Sequence, residues 1–436
     1  HYLPQNPIFN EEDTVLESVQ NMIHHHANED ELVKAKAMMT RLGITDFEQK
    51  TSELSGGQRK RLALVSVLIT PCDILILDEP TNHLDSEMAE WLENQLRGFR
   101  GALVMVTHDR YFLDSVTNRI IELDKGKIYS YNEKYSGFLE RKAEREASAK
   151  ASERKRQSIL RKEIEWMQRG ARARSTKQKA HIQRYENQKG IVQDEKIELS
   201  SIKSRMGKTT IELENISKAY DCKVLINDFS YNFLKGDRVG FVGKNGCGKT
   251  TLMKIIDGRI EPDSGSVNIG QTIKIGYYTQ EIENNKEAGI AYMNPDDRVI
   301  DYIKNTAEFV RTEEGLVSAS VMLERFLFEP SQQYSKIEKL SGGEKRRLNL
   351  LRVLMEAPNV LILDEPTNDL DIETMTILED YLDSFDGIVI TVSHDRYFLD
   401  RVVRRIFSFE ENGVIDQYEG GYTDYINRKK EKGLLE

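Results

Sequence analysis

Short apolar runs separated by longer amphipathic stretches recur along the chain. The runs are four or five residues long and rich in aliphatic and β-branched side chains, which is typical of strands buried in a parallel sheet. They lie at 74–77, 102–106, 360–363 and 388–392. Stretches with helical periodicity, such as 14–42 and 299–326, lie between the runs. The alternation predicts an α/β fold. No run approaches the roughly eighteen apolar residues of a membrane span, so we expect no transmembrane helix.

The second half of the chain repeats the first with a constant offset of 286 residues. Three pairs of segments carry the repeat: LSGGQRKRL at 54–62 with LSGGEKRRL at 340–348, ILILDEPTNHLD at 74–85 with VLILDEPTNDLD at 360–371, and THDRYFLD at 107–114 with SHDRYFLD at 393–400. This gapless similarity predicts two copies of one domain. Aligning Gln5 with Gln280 leaves 209–275 without a counterpart. We therefore expect that the first copy lacks its opening third and that the chain is cut at its front.

Charge is distributed unevenly between the two copies and the segment that joins them. The 436 residues contain 62 Lys and Arg and 72 Asp and Glu, a net charge of −10. Residues 141–190 contain 16 basic and 6 acidic residues, so they carry +10 and the remainder carries −20. We place the first domain at 1–134, the basic linker at 135–207, the second domain at 208–425 and the start of a charged tail at 426–436.

Three widely spaced cysteines, Cys72, Cys222 and Cys247, provide neither a disulfide framework nor a paired metal motif. This composition favours a reducing, cytoplasmic location. No basic and then apolar targeting segment follows the first residue.

The clearest chemical motif is a glycine-rich loop between an apolar strand and a helix-like stretch. Residues 243–250 read GKNGCGKT, which fits the phosphate-binding pattern GxxxxGK[ST]. Its glycines allow backbone N–H groups to converge on phosphate oxygens, its lysine can bridge the outer phosphates, and its threonine hydroxyl can bind Mg²⁺. The candidate nucleotide-binding residues here are Gly243, Asn245, Gly246, Gly248, Lys249, Thr250 and Thr251.

Paired carboxylates end one predicted strand in each copy, Asp78-Glu79 and Asp364-Glu365. At such a position an aspartate can hold Mg²⁺ through water and a glutamate can polarise an attacking water. A solvated strand end would not explain the repetition of DEPTN. Asp85 and Asp371, just beyond, either cap a helix or order a facing half-site.

Two further repeated features complete the candidate chemistry. His108 and His394 each follow an apolar strand, where either could contact a γ-phosphate and hold the water or be structural. The LSGG segments offer Ser55-Gly56-Gly57 and Ser341-Gly342-Gly343 before a helix, which suits a second phosphate site, although each serine is also a good helix N-cap.

Together, LSGG, the phosphate loop, the glutamines at 5 and 280, LDEP and the histidines resemble ATP-binding cassette (ABC) ATPase domains over nearly all of 1–134 and 208–425. The resemblance implies two tandem P-loop NTPase domains that stack head to tail around ATP and Mg²⁺. One site would combine Lys249, Thr250, Gln280, Asp364, Glu365 and His394 with Ser55, Gly56 and Gly57. The other would combine Gln5, Asp78, Glu79 and His108 with Ser341, Gly342 and Gly343. The resemblance also implies that Thr250, Gln280, Asp364 and Asp78 contact the metal.

Tyr220, in SKAYD upstream of the phosphate loop, resembles the adenine-stacking aromatic of that family. Simple packing is an equally good reading of a single tyrosine. Cys247 is either a reactive thiol in the phosphate loop or a small residue that fits a tight turn.

The linker resembles that of the ABC-F class, and EIEWMQRGARARSTKQKAHIQRYENQ resembles its Uup-like branch. Its periodicity predicts a hairpin of two helices, and its positive charge peaks near the tip. The candidate RNA-binding residues are Arg169, Arg172, Arg174, Lys177, Lys179 and Arg184. A solvated helix pair is the alternative, but the large excess of basic over acidic residues favours binding to the phosphate backbone of a nucleic acid.

The resemblance implies a cytoplasmic ATPase that acts as a monomer and binds the ribosome when ATP closes its cassettes. The linker would contact tRNA or rRNA, and the protein would modulate translation or relieve stalling. Two alternatives stay open: a DNA-associated ATPase of the Uup type and the energising subunit of a transporter.

Overall fold

A computed structural model describes residues 1–4, 7–22, 29–82, 84–124, 126–145, 147, 207, 209–220, 223–279, 293–312, 315–367 and 370–433. The chain divides into two compact units. The larger unit contains 1–111 and 198–436, and the smaller contains 112–197.

The elements follow one another in an alternating α/β order. The strands are β1 (Tyr2–Leu3), β2 (Ile74–Asp78), β3 (Ala102–Val106), β4 (Ile120–Asp124), β5 (Lys127–Tyr131), β6 (Ile211–Tyr220), β7 (Lys223–Phe233), β8 (Arg238–Val242), β9 (Ser264–Ile269), β10 (Ile275–Thr279), β11 (Phe309–Thr312), β12 (Gly315–Ser318), β13 (Val360–Asp364), β14 (Ile388–Val392), β15 (Arg405–Phe409) and β16 (Ile415–Glu419).

The helices are α1 (Val15–Met22), α2 (Glu29–Arg41), α3 (Gly56–Ile69), α4 (Ser86–Arg97), α5 (Arg110–Val116), α6 (135–145), α7 (Lys249–Ile256), α8 (Val299–Thr306), α9 (Ala319–Arg325), α10 (Pro330–Gln333), α11 (Gly342–Met355), α12 (Ile372–Asp383), α13 (Arg396–Val402) and α14 (Tyr422–Glu431).

The first and second copies of the repeat, predicted at 1–134 and 208–425, are called the first and second cassettes below. A six-stranded sheet in the order β10-β13-β14-β8-β15-β16 organises the second cassette. The first five strands run parallel, and β16 pairs antiparallel with β15. Every residue of β13 and β14 is buried, which explains why these strands read as continuous apolar runs.

Two layers cover the faces of this sheet. On one face, Val360, Ile362 and Ile390 pack in a cluster with α7 and with an antiparallel sheet of the order β7-β6-β9. On the other face, Leu361 and Val389 pack in a second cluster with α8, α9, α11 and α12. The carboxyl ends of β8 and β13 meet at one edge, which places the phosphate loop near the Asp-Glu pair.

The first cassette in the larger unit has a shorter sheet of three parallel strands, β1-β2-β3. Its strands alternate between buried and exposed positions, and Leu75 and Leu77 are buried whereas Ile74 and Ile76 are exposed. Only one face of this sheet is therefore covered within the described residues. The alternation contrasts with the fully buried pair β13 and β14.

The smaller unit contains the antiparallel pair β4-β5 and helix α6. Glu122 forms ion pairs with Lys142 at 2.8 Å and with Arg145 at 2.6 Å. Partial burial raises the pKa of the Glu122 carboxyl, but these two cations together outweigh it and hold that pKa below its usual range. The start of the basic segment is thereby tied to the hairpin.

The α/β fold with parallel strands is confirmed. One expectation was wrong in part: 299–326 is not helical throughout, because β11 and β12 form a hairpin between α8 and α9. The alternation of Phe309, Val310, Arg311 and Thr312 buries Val310 and Thr312, as a half-buried strand does. In the part of the chain that the structure describes, no helix is long and apolar enough to cross a membrane. The domain boundaries stay predictions, and the tip of the linker lies outside the described residues.

Candidate functional site

The phosphate loop connects β8 to α7 through glycines with positive φ. Gly246 has φ 73° and Gly248, the N-cap of α7, has φ 114°. Both values lie in the region that only glycine adopts without strain, and a Cβ at Gly248 would lie 3.1 Å from the Leu225 carbonyl oxygen. The loop thus presents backbone N–H groups at a helix N-terminus, which is an anion-binding arrangement.

Lys249 is buried, and its ammonium lies inside this loop. Its Nζ donates to the carbonyl oxygens of Gly243 at 2.6 Å and Lys244 at 3.0 Å. The positive charge is therefore held at the position where the loop would receive phosphate oxygens.

The end of β13 places Asp364 beside the start of α7. Thr250 Oγ1 donates to Asp364 Oδ1 at 3.3 Å, and the Tyr277 hydroxyl donates to Asp364 Oδ2 at 3.3 Å. Burial, with the charge of Glu365 second, raises the pKa of Asp364 to about 6. A hydroxyl and a carboxylate at this separation are hard oxygen donors and fit Mg²⁺ when phosphate oxygens and waters complete the shell. Within the described chain, no group of three or more His, Cys, Asp or Glu residues could hold a metal by itself.

Glu365 follows with φ 49°, a left-handed backbone that is rare for a non-glycine residue. Its backbone N–H donates to the Val392 carbonyl at 2.9 Å, which fixes this conformation against β14. Glu365 Oε1 lies 3.1 Å from His394 Nε2, and Oε2 is buried with no hydrogen-bond partner. Burial raises the pKa of Glu365 to about 7, although Lys249 opposes the shift. A carboxylate with one buried, open oxygen is suited to accept a proton from water.

His394 is held neutral. Burial and the nearby Lys249 charge lower the pKa of His394 to about 3, while Asp85 of the first cassette acts in the opposite direction. The neutral ring can hydrogen-bond at this edge without adding a charge. Asp85 therefore lies near enough to His394 to act electrostatically on it.

The first cassette repeats the Glu-His geometry. Glu79 has φ 47°, its N–H donates to the Val106 carbonyl at 2.8 Å, and its Oε1 lies 3.4 Å from His108 Nε2. Asp78 ends β2, as Asp364 ends β13. The sequence has one GxxxxGK[ST] segment, and it belongs to the second cassette.

Each LSGG serine caps the helix that follows it. Ser55 Oγ accepts from Gln58 N at 3.3 Å, and Ser341 Oγ accepts from Glu344 N at 3.3 Å. The helix-cap reading is therefore correct for both serines. A Cβ at Gly56 or Gly342 would meet open space, so the backbone there is accessible. A phosphate contact of 55–57 or 341–343 stays a prediction.

The helix-cap reading of Asp85 is correct, and the ordering of a facing half-site stays a prediction. The Asp85 carboxylate accepts from Met88 N at 3.0 Å as the N-cap of α4, and it also acts on His394 of the other cassette. Asp371 accepts from Thr374 N at 2.7 Å as the N-cap of α12. Lys244 in the phosphate loop lies 3.4 Å from Glu87, a second approach of the first cassette to this site.

Several predicted site residues stay predictions. Gln5, Gln280 and the six basic linker residues lie outside the described residues. Tyr220 ends β6 with an exposed ring, and Lys218 Nζ lies 5.5 Å from the ring centroid. Its adenine contact stays a prediction.

Sequence reasoning missed Tyr277 and the arginines that follow the two histidines. The signal for Tyr277 was its position in GYYTQ, three residues before the glutamine at 280. The signal for Arg110 and Arg396 was the repetition of His-Asp-Arg-Tyr in both copies. Neither signal shows which partner a long side chain reaches.

Comparisons with known proteins agree with this arrangement. One family model described as ABC transporter matches 1–82 and 226–368, and a second with the same description matches 121–205. The ABC transporter ATP-binding protein YfmR of Bacillus subtilis is 54% identical over 402 residues, covering 91% of this chain and 63% of its own length. The energy-dependent translational throttle protein EttA of Escherichia coli K12 is 34% identical over 471 residues, covering 98% of this chain and 83% of its own length.

Among solved structures, RNase-L Inhibitor has a TM-score of 0.64 at 19% identity and covers 96% of this chain and 73% of its own chain. That likeness concerns the fold. The chain spans 63% of the length of YfmR.

Proposed function

Because the chain belongs to the ABC-F class of ATP-binding cassette proteins, we propose that it is a ribosome-associated ATPase whose cassettes close on ATP and Mg²⁺. The observation that carries the ATPase proposal is Glu365. Its side chain is 15% exposed with Oε2 buried, its backbone is left-handed, and its Oε1 lies 3.1 Å from His394 Nε2. A binding module without turnover has no physical need for such a poised carboxylate.

The residues divide the chemistry among them. The loop glycines and Lys249 bind the phosphates, and Thr250 with Asp364 would hold Mg²⁺. When bound, Mg²⁺ neutralises charge that develops on the phosphate oxygens. Glu365 accepts a proton from the attacking water at its open Oε2, and the neutral His394 keeps the carboxylate oriented through Oε1.

The facing half-site comes from the first cassette. A γ-phosphate contacted by both Lys249 and the LSGG segment at 55–57 would stabilise only the closed arrangement, so ATP shifts the population toward closure. Hydrolysis removes that contact and allows reopening. The approach of Asp85 to His394 and of Glu87 to Lys244 supports a site shared between cassettes.

The proposed partner is RNA of the ribosome, met in the cytoplasm by a monomer. The net charge of +10 at 141–190 suits a phosphate backbone. EttA is named a translational throttle and aligns with 98% of this chain, which supports a role in translation. Closure would set the angle at which the linker meets tRNA or rRNA and so modulate translation or relieve stalling.

A trapped variant tests the proposal. Glu365→Gln combined with Glu79→Gln removes both candidate bases while keeping the side-chain shape, so ATP should hold the cassettes closed. We expect this variant to cosediment with ribosomes in ATP several-fold better than wild type, and to lose the excess in ADP. Cosedimentation no better than that of wild type would contradict the clamp.

A DNA partner is the second candidate, because the same basic segment suits either nucleic acid. Treatment of the trapped complex with RNase or DNase separates them. Release by RNase alone supports the ribosomal proposal, and release by DNase alone supports the DNA-associated one.

A further inference from the structure

The two His-Asp-Arg-Tyr segments meet across the contact between the cassettes. They are 107–111 in the first cassette and 393–397 in the second, counted with the residue before each histidine. Asp109 and Asp395 lie close enough that the charge of Asp109, after burial, contributes to raising the pKa of Asp395 to about 6. Each following arginine extends to the other cassette, so the contact has an approximate two-fold relation.

The contacts between arginines and tyrosines follow the approximate two-fold relation. The Arg110 guanidinium carbon lies 5.2 Å from the Tyr397 ring centroid, and that of Arg396 lies 4.8 Å from the Tyr111 centroid. Both distances are within the range of a cation–π interaction. The two arginines therefore occupy equivalent places.

Their ionic partners differ. Arg110 Nη1 donates to both carboxylate oxygens of Glu379 at 2.8 and 3.0 Å, and both side chains are almost completely buried. Arg401, from within the second cassette, also donates to Glu379 Oε2 at 2.6 Å. One buried carboxylate is thus shared between cations of the two cassettes.

The equivalent carboxylate in the first cassette is Glu93, and it is engaged within its own helix. Arg97, one turn further along α4, lies 2.6 Å from Glu93. The residue at the matching position of α12 is Asp383, which cannot neutralise Glu379. The copies also differ at Arg401, whose counterpart is Ser115. The two differences accompany the contact of Arg110 with Glu379, for which Arg396 and Glu93 show no matching hydrogen bond among the described residues.

Arg396 instead holds the segment next to Asp85. Its Nη2 donates to the Ser86 carbonyl at 3.1 Å and lies 3.7 Å from Glu90 Oε2. Ser86 directly follows Asp85, the residue of the first cassette that acts on His394. Arg396 is two residues beyond His394 in the second cassette and bonds Ser86, which is next to Asp85 in the first cassette. It therefore links the segment of His394 to the segment of Asp85.

We propose that these arginines are unequal positioning residues: Arg110 anchors the cassettes to each other through Glu379, and Arg396 sets the place of Asp85 beside His394. The hydrolytic part of this inference rests on the proposed ATPase function, whereas the anchoring part does not. Both arginines follow the repeated histidines and lie outside the phosphate loop at 243–250 in the sequence, so we expect both to act on turnover more than on ATP affinity.

The experiment compares Arg396→Gln, Arg110→Gln and Arg401→Gln by steady-state kinetics and by hydrogen exchange of the full chain. We expect Arg396→Gln to lower kcat about tenfold with KM changed less than about twofold, the pattern of a residue that acts only in the assembled site. Arg396→Lys should recover little, because an ammonium cannot reproduce the planar contacts. A proportional rise in KM, or kcat unchanged, would overturn the role of Arg396.

Anchoring is tested without nucleotide. Arg110→Gln should speed amide exchange in both α12 and α5. Adding Glu379→Gln should produce no further increase in α5, since both changes remove the same contact of α5, whereas α12 also loses its contact with Arg401. Arg401→Gln is the matched control, because it removes a partner of the same carboxylate from inside the second cassette. Faster exchange of α5 in Arg401→Gln, equal to that in Arg110→Gln, would overturn the anchor.

These readouts separate two kinds of failure. If wild type does not hydrolyse ATP, the proposed function is wrong, and the exchange cycle still decides the anchor. If hydrolysis is normal but the exchange effects in α5 are additive, the anchor is wrong and the proposed function stands.

Discussion

The two cassettes share the local geometry of their chemical residues and differ in what covers their sheets. Glu79 and Glu365 have φ values of 47° and 49° and bond equivalent carbonyls. Val106, in contrast, is 56% exposed, whereas its counterpart Val392 is 1% exposed. The poised carboxylate is therefore encoded in the repeated strand-turn segments themselves. Burial of the sheet depends on the layer formed by β6, β7, β9 and α7, whose segment 209–275 has no counterpart in this sequence.

The largest expected difference between the cassettes is in hydrolysis. Glu365 lies beside the phosphate loop at 243–250, which is the one GxxxxGK[ST] segment in this sequence. A general base contributes about 10² to 10⁴-fold, so Glu365→Gln should lower kcat by at least about 100-fold. Glu79→Gln, the same change in the other copy, should alter kcat less than about threefold. ATP turnover by the purified chain measures both.

Equal losses in the two variants would break this comparison. They would mean that Glu79 takes part in the site formed around Lys249. Unchanged turnover in Glu365→Gln would remove Glu365 as the base.

The second prediction concerns the pH dependence of folding stability that Glu365 causes. Burial raises the pKa of Glu365 from the ordinary 4.5 to about 7, so the folded chain binds this proton more tightly than the unfolded chain. The stability that the protonated carboxyl contributes is full below about pH 4.5 and is lost as pH rises through about 7. At 1.36 kcal/mol for each pH unit, the loss is up to about 3 kcal/mol.

Glu365→Gln removes that dependence. Without nucleotide, the variant should unfold at a higher temperature than wild type at pH 8, and the gap should shrink at pH 5. Thermal unfolding at the two pH values measures it. A gap that is the same at both pH values would show that the Glu365 carboxyl keeps an ordinary pKa.

The sequence was sufficient to predict the site residues where a motif itself determines the local backbone geometry. The phosphate loop, the Asp-Glu pairs and the histidines were predicted because their glycines, strand ends and spacing already specify local geometry. Asp364 with Thr250 is an example, since strand order brings two sequence-distant segments together in a known way.

Contacts between side chains of different elements were not predictable in the same way. Nothing in the sequence shows that Arg110 pairs with Glu379, because the two residues are 269 positions apart and meet only at the contact between the cassettes. The β11-β12 hairpin was missed for a related reason, since a short alternating run inside a helical stretch becomes a strand only when its partner strand is present.

The smallest expected effect tests the covered and uncovered sheets directly. Val392→Thr places a hydroxyl inside the layer formed with β6 and α7, which costs about 1–3 kcal/mol when no partner is available. Val106→Thr makes the same change at an exposed position, where substitutions usually stay within about 0.5 kcal/mol. Because each substitution changes one strand, amide exchange of β14 and β3 locates the effect more directly than an unfolding midpoint. We expect faster exchange in β14 of Val392→Thr and little change in β3 of Val106→Thr. Equal effects would mean that the exposed face of β3 is covered in solution, and the contrast between the cassettes would then lie in their sites alone.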